Sequence, residues 1–209
     1  MLHDIANALL ETIYTVLIAS IPVTILGLLI SVAHVSFKHQ DLYQNNVAAK
    51  LLDMIVNTSF KLPYFVLIIA FIPFGKMMAN IFQSNIAAII PIVLATLPVF
   101  IHHTSKSLQN TPDALLSMAI TNGASKVQLI RNIILQEAKY DIIKAYGTTL
   151  IAIVSCSTIA GIVGVQGLGK LLVEKGYRNF EASYVIGIII ALALLNQVIS
   201  SATNELSKK

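Results

Sequence analysis

Residues 111–144 read TPDALLSMAITNGASKVQLIRNIILQEAKYDIIK, the longest polar-bearing stretch of an otherwise apolar chain. Two short helices are predicted in it. The first begins with Thr111 as its N-cap, Pro112 at the first helical position and Asp113 in the first turn, where the helix dipole favours an anion. Three of its apolar side chains are expected to share one face: Leu115, Met118 and Ala119.

A turn at Asn122-Gly123 separates the two helices, because glycine accepts the positive φ that often ends a helix. Ser125 is predicted to begin the second helix, with Gln128 at the spacing of a capping box. One face of this helix carries Val127, Ile130 and Ile134, and the other carries Lys126, Gln128 and Arg131. Neither helix is long or apolar enough to cross a bilayer, which takes about 20 residues. The stretch is therefore predicted to be a helix-turn-helix that lies at a membrane surface and presents an apolar stripe.

Composition places the whole chain in a membrane. Of 209 residues, 56% are hydrophobic and 11% are charged, whereas about 25% are charged in soluble domains. The single cysteine, Cys156, has no partner for a disulfide within the chain and no zinc-ligand spacing around it. Basic and aromatic residues do not interleave, so the net charge of +4 does not indicate nucleic-acid binding. Asp4 and Glu11 precede the first apolar run, so no cleavable signal peptide is predicted.

Five apolar stretches are predicted to cross the bilayer. They lie at about 11–34, 51–74, 87–100, 144–170 and 184–202. The fold class is therefore all-α, a polytopic membrane protein with five transmembrane helices and one helix-turn-helix. Residues 1–209 are predicted to form a single transmembrane domain without a separate soluble domain.

Three features inside these stretches allow more than one interpretation. Lys61 in the second span is interpreted as an anchor that reaches back to the interface, in preference to a helix broken at Pro63. Residues 77–84 are predicted to form a short interfacial turn. His102 and His103 end the third span, and because adjacent residues point to different helix faces, we interpret them as interface residues rather than metal ligands.

Small residues crowd the second half of the fourth span. Ser155, Ser157 and Thr158 come before four closely spaced glycines, which are Gly161, Gly164, Gly167 and Gly169. Small residues let helices approach closely in lipid. Glycine at this density also permits non-helical backbone, which membranes tolerate only against protein or a water-filled cavity. A tight packing face and a pathway lining with a gate both remain open.

The helix-turn-helix resembles the cytoplasmic coupling loop of ABC-importer membrane subunits. That loop has the pattern Glu-Ala-Ala, three residues, Gly, nine residues, Ile, one residue, Leu-Pro. Four positions match when the glycine is laid on Gly123: Ala119, Gly123, Ile133 and Leu135. Ser117, Met118 and Gln136 depart from the pattern. The flanking Gly123-Ala124-Ser125 run also resembles the family.

The region after the loop is similar to the methionine-importer permeases. Residues 160–169 read AGIVGVQGLG and residues 175–180 read KGYRNF. The family carries Met-Ala-Gly-Ala-Val-Gly, Gly-Leu-Gly and Tyr-Gly-Tyr-x-x-Phe there, and Ile159 stands where methionine is common. The resemblance extends from about Asn57 to the end of the chain. It implies an importer of methionine, D or L, or of a related amino acid in a bacterial cytoplasmic membrane, with another small solute as the alternative.

The resemblance also implies the partners. It implies a homodimer, two cytoplasmic ATPase subunits and an extracytoplasmic substrate-binding lipoprotein. The chain contains no Gly-x-x-x-x-Gly-Lys-Ser/Thr nucleotide motif. ATP and Mg²⁺ would therefore bind to the ATPase, and this chain would be a transport subunit with no catalytic residue, cofactor or metal of its own. The coupling loop spans about 105–145, and its expected ATPase-coupling residues are Ala119, Gly123, Ala124, Ser125, Ile133 and Leu135.

A two-fold dimer suggests a position for the gate. The same residue from both copies can face itself across the axis. Ile159 is the one bulky side chain among small ones, so a pair of them can close a channel as a dry constriction. The expected gate and pathway residues are Ser155, Ser157, Thr158, Ile159, Gly161 and Gly164. In the alternative, Ile159 packs against another span and faces no cavity.

Charge predicts the orientation independently of the resemblance. With the helix-turn-helix inside, the N-terminus is outside and the C-terminus is cytoplasmic. The inside basic residues are then Lys38, Lys50, Lys106, Lys126, Arg131, Lys139, Lys144, Lys208 and Lys209. The outside ones are Lys76, Lys170, Lys175 and Arg178. This excess follows the positive-inside rule.

Three other functional classes fit the sequence less well. An ion-coupled secondary transporter normally needs an ionisable residue deep in a span, and Lys61 is the one candidate. A membrane scaffold has no need of the glycine-rich fourth span. An intramembrane enzyme is disfavoured because the sequence suggests no Ser/His, paired Asp or His/Glu set at matching depth.

Overall fold

The computed structural model describes residues 1–79 and 89–208, and the regular structure in these ranges is helical. The first half contains α1 (Leu2–Lys38), α2 (Asn46–Lys61), α3 (Tyr64–Ala79) and α4 (Ile89–Gln109). The helix-turn-helix follows. Its first helix is α5 (Asp113–Thr121), and its second, α6, joins Lys126–Gln128, a π-helical stretch Leu129–Ile134 and Leu135–Glu137.

The last part of the chain contains two long helices with an irregular connection between them. Helix α7 (Lys139–Ala160) ends in a 3₁₀ turn, Gly161–Val163. Helix α8 joins Leu168–Leu171 to the π-helical Leu172–Arg178, and α9 covers Ala182–Leu206. The fourth apolar stretch therefore does not cross as one helix up to Lys170, because its helix stops at Ala160 and a new one begins at Leu168.

Four helices in the described ranges are long and apolar enough to cross a membrane: α1, α4, α7 and α9. A fifth crossing exists if α2 and α3 count together. These two helices meet at an angle of 111°, with Leu62 in an extended conformation and Pro63 directly before α3. A residue before proline avoids the helical region. The helix is therefore broken at Pro63, and our preference against such a break was wrong, whereas the role of Lys61 as an anchor stays a prediction.

Other boundaries also differ from the sequence prediction. Helix α4 continues through His102 and His103 to Gln109. The interfacial turn predicted at 77–84 falls partly on α3, which continues to Ala79, and its remainder lies outside the described residues. Pro22 lies inside α1, which is one helix throughout.

The main core lies where α1, α3, α4 and α7 meet. Phe100 on α4 is fully buried, and its ring occupies the space that a Cβ at Gly27 of α1 would need. This close approach lets α1 and α4 form one of the most extensive contacts in the chain. Buried members of the core include Ala19, Val23, Ile68, Ile92, Ala95, Phe100, Ile153, Val154, Cys156 and Ala160.

A smaller cluster closes each end of the bundle. At one end, the end of α1 and the end of α4 meet the helix-turn-helix, and the buried residues are Val35, Leu42, Leu108, Leu116, Leu129, Ile134 and Ala138. At the opposite end, the start of α1 meets α8 and the start of α9, through Ile5, Ala8, Leu168, Tyr184 and Ile188. The two ends therefore carry the two sets of motifs that the sequence singled out.

Candidate functional site

The turn of the helix-turn-helix has the geometry predicted from Gly123 and Ser125. Gly123 has a φ of +81°. Ser125 caps α6, with its hydroxyl oxygen accepting the Gln128 N–H at 3.4 Å while the Gln128 side chain accepts the Ser125 N–H at 2.8 Å. The predicted capping box is confirmed, and it fixes the start of α6 directly after the turn.

The start of α5 differs from the prediction. The helix begins at Asp113 with Pro112 in the cap position and no side-chain cap. The Thr111 hydroxyl instead donates to the Leu108 carbonyl oxygen at 3.0 Å, at the end of α4. Thr111 therefore closes the preceding helix, and its prediction as the N-cap of α5 was wrong.

The apolar faces of α5 and α6 follow the prediction only in part. Leu116, which lies outside the predicted apolar stripe, is 4% exposed, while Met118 in that stripe is 63% exposed. In α6 Leu129 is 2% exposed and Val127 is 63% exposed. The physical reason in α6 is the π-helical register of Leu129–Ile134, because a wider turn shifts the side chains relative to the 3.6-residue period used for the prediction.

The predicted coupling residues divide into two groups. Ala119, Ala124, Ile133 and Leu135 pack, partly buried, against the cluster beneath the helix-turn-helix. Gly123 and Ser125 are exposed in the turn. The first group therefore packs inside the helix-turn-helix. The second group forms its exposed turn, which we call the tip.

Part of the apolar stripe predicted from the sequence is exposed near this tip. Met118 and Val127 lie on either side of the turn and are both exposed. Leu115 and Ile120 are exposed to 39% and 38%. Apolar residues grouped on an exposed surface are typical of a protein contact. A partner of the helix-turn-helix would meet this face first.

The predicted gate residues lie at the end of α7 and in the turn that follows. The Ser155 and Thr158 hydroxyls donate to carbonyl oxygens of their own helix, at 3.1 Å to Ile151 and 2.9 Å to Val154. Ser157 is 3% exposed. Ile159 is partly buried and packs against the main core. These residues are therefore adjacent in one helix, at the edge of the core.

Glycine is required at two of these positions, Gly161 and Gly164, for different structural reasons. A Cβ at Gly161 would overlap the backbone of Gly169 and Lys170, so glycine lets the end of α7 and the start of α8 touch. Gly164 has a φ of +99° with open space around it. At Gly161 the structure supports the alternative of a tight packing face, whereas Gly164 makes a turn that other residues rarely adopt.

Three polar side chains form a chain of contacts that was not expected from the sequence. The His34 ring nitrogens lie 3.1 Å from the Ser105 hydroxyl oxygen and 3.1 Å from Asp53 Oδ1. This is a Ser–His–Asp order, so the statement that no Ser/His set lies at matching depth was wrong. Ser105 and His34 are 3% and 4% exposed, so no substrate can reach the hydroxyl, and the set joins α1, α2 and α4 structurally. Spacing gave no signal for it because the three residues lie on three helices.

The histidine pair of α4 is also held by α2. The His102 Nδ1 lies 3.1 Å from Asn57 Oδ1, and its ring stacks on Phe60 with centroids 4.1 Å apart. The His103 ring meets both edge to face. Within the described residues no group of three or more His, Cys, Asp or Glu side chains has metal-site geometry.

Comparison with known proteins identifies the family. The family model described as binding-protein-dependent transport system inner membrane component matches residues 24–209. The probable D-methionine transport system permease protein MetI of Vibrio cholerae is 30% identical over 199 residues, which is 95% of this chain and 88% of the relative. The methionine import system permease protein MetP of Bacillus subtilis is 25% identical over 172 residues, covering 80% of this chain and 78% of the relative.

A solved structure has the same fold. A chain from the inward-facing MetNI methionine ABC transporter, in the CY5 native crystal form, superposes with a TM-score of 0.90 at 23% identity, over 99% of this chain and 96% of that one. The prediction of an all-α polytopic membrane fold is confirmed, as is the transport class in preference to an enzyme. The chain belongs to the family of binding-protein-dependent transport system inner membrane components.

Proposed function

We propose that this chain is the membrane subunit of an ATP-driven importer of methionine, in the D or L form, or of a closely related amino acid. The observation that carries the proposal is the helix-turn-helix, whose capped turn presents Met118 and Val127 to a partner at one end of the bundle. The names of the relatives from Vibrio cholerae and Bacillus subtilis support methionine as the solute.

The cytoplasmic partners in this proposal are two ABC ATPase subunits. They bind ATP and Mg²⁺ and dock on the exposed face around Gly123 and Ser125. The shape of that face is fixed by partly buried residues that pack against the cluster beneath it: Ala119, Ala124, Ile133 and Leu135. The solved MetNI structure supports this arrangement, because it is an ABC transporter with the same fold in its membrane chain.

A homodimer is the second part of the proposal. In the 18-residue apolar stretch of α9, only 6% is buried within the chain. Its exposed side chains include Ile186, Ile189, Ile190, Leu194 and Val198. Such a surface suits either lipid or a second copy. In the proposed dimer the two copies of α7 also approach the axis, where Ile159 forms the gate beside Ser155, Ser157, Thr158, Gly161 and Gly164.

A substrate-binding lipoprotein is proposed for the opposite face. Tyr177 and Phe180 are 74% and 84% exposed. Tyr177 lies in the last turn of α8 and Phe180 in the short link to α9, where the Glu181 N–H donates to the Lys175 carbonyl oxygen at 3.1 Å. Phe180 has a φ of +55°, a strained conformation for a non-glycine residue and one that functional sites often retain. Exposed aromatic side chains held by a helix end and a hydrogen-bonded turn are suitable anchors for a protein contact.

The proposed orientation has the N-terminus outside and the C-terminus in the cytoplasm of a bacterial cell. The bundle geometry supports it, since the 39–45 loop lies at the same end as the helix-turn-helix. The start of α1 lies with α8 at the other end. The basic residues are then in excess inside, as the positive-inside rule expects.

Reconstitution tests the proposed function. The chain is co-expressed with its ATPase, purified as a complex and placed in proteoliposomes with the binding lipoprotein. We expect ATP-dependent uptake of labelled L- and D-methionine, and no uptake with an ATPase that binds but does not hydrolyse ATP. Uptake that runs on an ion gradient without ATP would refute the proposal. ATP-driven uptake of another solute in place of methionine would refute its substrate.

A further inference from the structure

The loop between α1 and α2, residues 39–45, is folded onto the helix-turn-helix. Leu42 is 2% exposed and belongs to the same buried cluster as Leu116, Leu129 and Ile134. One loop side chain is thus packed among the residues that give the helix-turn-helix its shape. A displacement of the helix-turn-helix must carry this loop with it or open the cluster.

Two polar contacts fasten the same loop to the first turn of each helix in the unit. The Lys126 ammonium of α6 donates to the Leu42 carbonyl oxygen at 2.6 Å and lies 4.9 Å from the centre of the Tyr43 ring. The His39 Nε2 lies 3.7 Å from Asp113 Oδ1 at the start of α5. The ammonium contact is short and charge-assisted, so Lys126 is the stronger of the two ties.

Hydrogen bonds hold the 39–45 loop close to the end of α1 and the start of α2. The Tyr43 N–H donates to the Ser36 carbonyl oxygen at 3.1 Å, and the Asn45 N–H donates to the Phe37 carbonyl oxygen at 2.9 Å. The Asn45 side chain then caps α2 by accepting the Ala48 N–H at 3.1 Å. The loop is therefore hydrogen-bonded to the end of α1, joined to the first turn of α2 by the Asn45 cap, and contacted by Lys126 of the helix-turn-helix.

Helix α2 is held in the bundle by several polar contacts, a stacked Phe60–His102 ring pair and few buried apolar side chains. Only Ala49 and Val56 are buried among its residues. Asp53 Oδ1 accepts a hydrogen bond from the Lys38 ammonium at 2.8 Å and lies 3.1 Å from His34 Nε2. One turn further on, Asn57 contacts His102 at 3.1 Å. Contacts of this kind can break and re-form without repacking a large apolar core.

The opposite face of α2 is apolar and exposed. Its side chains include Val47, Leu51, Met54 and Ile55. The helix then ends at Lys61, where the chain turns by 111° into α3. Helix α2 therefore has polar contacts on one side, an apolar outer face on the other and a bend at its end. It can pivot as a rigid body relative to α3.

On the basis of the proposed function, we propose that residues 39–45 and α2 form a second mechanical connection from the ATPase to the membrane helices. In this connection Lys126 is the positioning residue at the input, and Asp53 is the positioning residue at the output. Motion of the helix-turn-helix passes through Lys126 and Leu42 to α2, and the bend at Leu62-Pro63 acts as its hinge. Neither residue touches the solute or ATP.

The test measures coupling rather than activity alone. The complete transporter with Lys126→Met is reconstituted in proteoliposomes, and methionine uptake and ATP hydrolysis are measured together. We expect the uptake per ATP hydrolysed to fall by roughly tenfold, the size expected for losing one hydrogen bond from a charged donor. Lys126→Arg keeps a donor for the Leu42 carbonyl oxygen and a cation over the Tyr43 ring. We expect this variant to keep the uptake per ATP hydrolysed close to that of the unsubstituted chain.

Lys139→Met is the matched control. Lys139 lies at the start of α7 with its ammonium 4.8 Å from the centre of its neighbour's ring, Tyr140, and it has no described contact with the 39–45 loop. We expect normal uptake per ATP in this variant. An equal loss in Lys126→Met and Lys139→Met would overturn the proposal.

Asp53→Asn tests the far end of the connection without altering the surface that meets the ATPase. We expect it to uncouple transport, and we expect the double variant with Lys126→Met to be no worse than either single one, because both lie on one route. Normal coupling in Asp53→Asn, or fully additive losses, would contradict the proposal. Failure of the unsubstituted chain to transport with ATP would instead refute the proposed function itself.

Discussion

The hydroxyl oxygen of Thr12 accepts a hydrogen bond from the backbone N–H of Leu168 at 2.9 Å, across 156 residues of chain. Thr12 is in α1, and Leu168 is the first residue of α8. Gly167 makes the contact possible, because its φ is +129° and a Cβ there would lie 2.6 Å from the Thr12 hydroxyl oxygen. This contact fastens the start of α8 to α1 at the end of the bundle opposite the helix-turn-helix.

Thr12→Val should destabilise the protein. Leu168 is fully buried, so its N–H would lose its partner where water cannot easily replace it. We expect a loss of about 1–3 kcal/mol, the usual cost of a buried unsatisfied donor. Thermal unfolding of the purified protein in detergent measures the effect as a lower melting temperature.

The same substitution at Thr148 provides the control. Thr148 is exposed, and its hydroxyl donates to the Lys144 carbonyl oxygen of its own helix at 3.1 Å. Thr148→Val should leave the melting temperature nearly unchanged. If both variants lose the same stability, the Thr12–Leu168 contact is not responsible.

The sequence predicted the features that depend on short segments. The apolar stretches identified α1, α4, α7 and α9, because a bilayer requires about 20 apolar residues for each crossing. Gly123 and the Ser125–Gln128 pair located the turn, since a positive φ and a capping box are determined by neighbouring residues.

Features that depend on distant contacts were not predictable. The π-helical register that buries Leu129 and exposes Val127 is fixed by packing beneath the helix-turn-helix. The Ser105–His34–Asp53 contacts require three helices to be placed first. The break at Pro63 was visible in the sequence, but proline is tolerated within membrane helices, as Pro22 in α1 illustrates.

Gly123→Val should impair the ATPase contact while leaving the protein in the membrane. Gly123 has a φ of +81°, and a Cβ added to it would have no other atom within 4 Å. The cost therefore comes from the backbone alone, at about 1 kcal/mol or more for a β-branched residue. We expect weaker co-purification with the ATPase or ATP hydrolysis uncoupled from uptake.

Gly123→Asn separates backbone strain from the mere presence of a side chain. Asparagine visits the left-handed region more readily than valine, and there is room for its side chain. We expect this variant to retain most of the transport. Normal transport by Gly123→Val would show that the turn conformation is not required for coupling.

Cysteine labelling tests the proposed orientation. Asn132 in α6 and Asn179 after α8 are both exposed. Asn179→Cys should react with an impermeant maleimide in intact cells, and Asn132→Cys should react only after the membrane is permeabilised. The reverse pattern would refute the orientation.

The background for this experiment is Cys156→Ala. Cys156 is fully buried in the main core, so serine at this position would place a hydroxyl group in an apolar site. Absence of labelling at both positions after permeabilisation would mean that the reagent does not reach these surfaces, and a second exposed pair, Gln136→Cys and Arg178→Cys, then gives the answer.

Ile159→Ala tests the proposed gate. Ile159 is partly buried against the main core, next to the point where α7 gives way to the 3₁₀ turn at Gly161. If two copies of Ile159 close the pathway, the alanine variant should leak solute or hydrolyse ATP without uptake, while the folded yield stays close to normal. If Ile159 serves only as a core residue, truncation should cost about 2–5 kcal/mol and lower the yield.

An Ile159→Cys variant in the Cys156→Ala background decides between these outcomes. In the proposed dimer the two thiols approach across the axis in the closed state, so a disulfide should form and its yield should change with the nucleotide bound to the ATPase. Ile153→Cys is the matched control, because Ile153 lies on the same helix and is fully buried within its own chain, and it should not crosslink. No crosslink at residue 159 in any nucleotide state, together with a simple stability loss in Ile159→Ala, would place this side chain in the core and move the gate elsewhere.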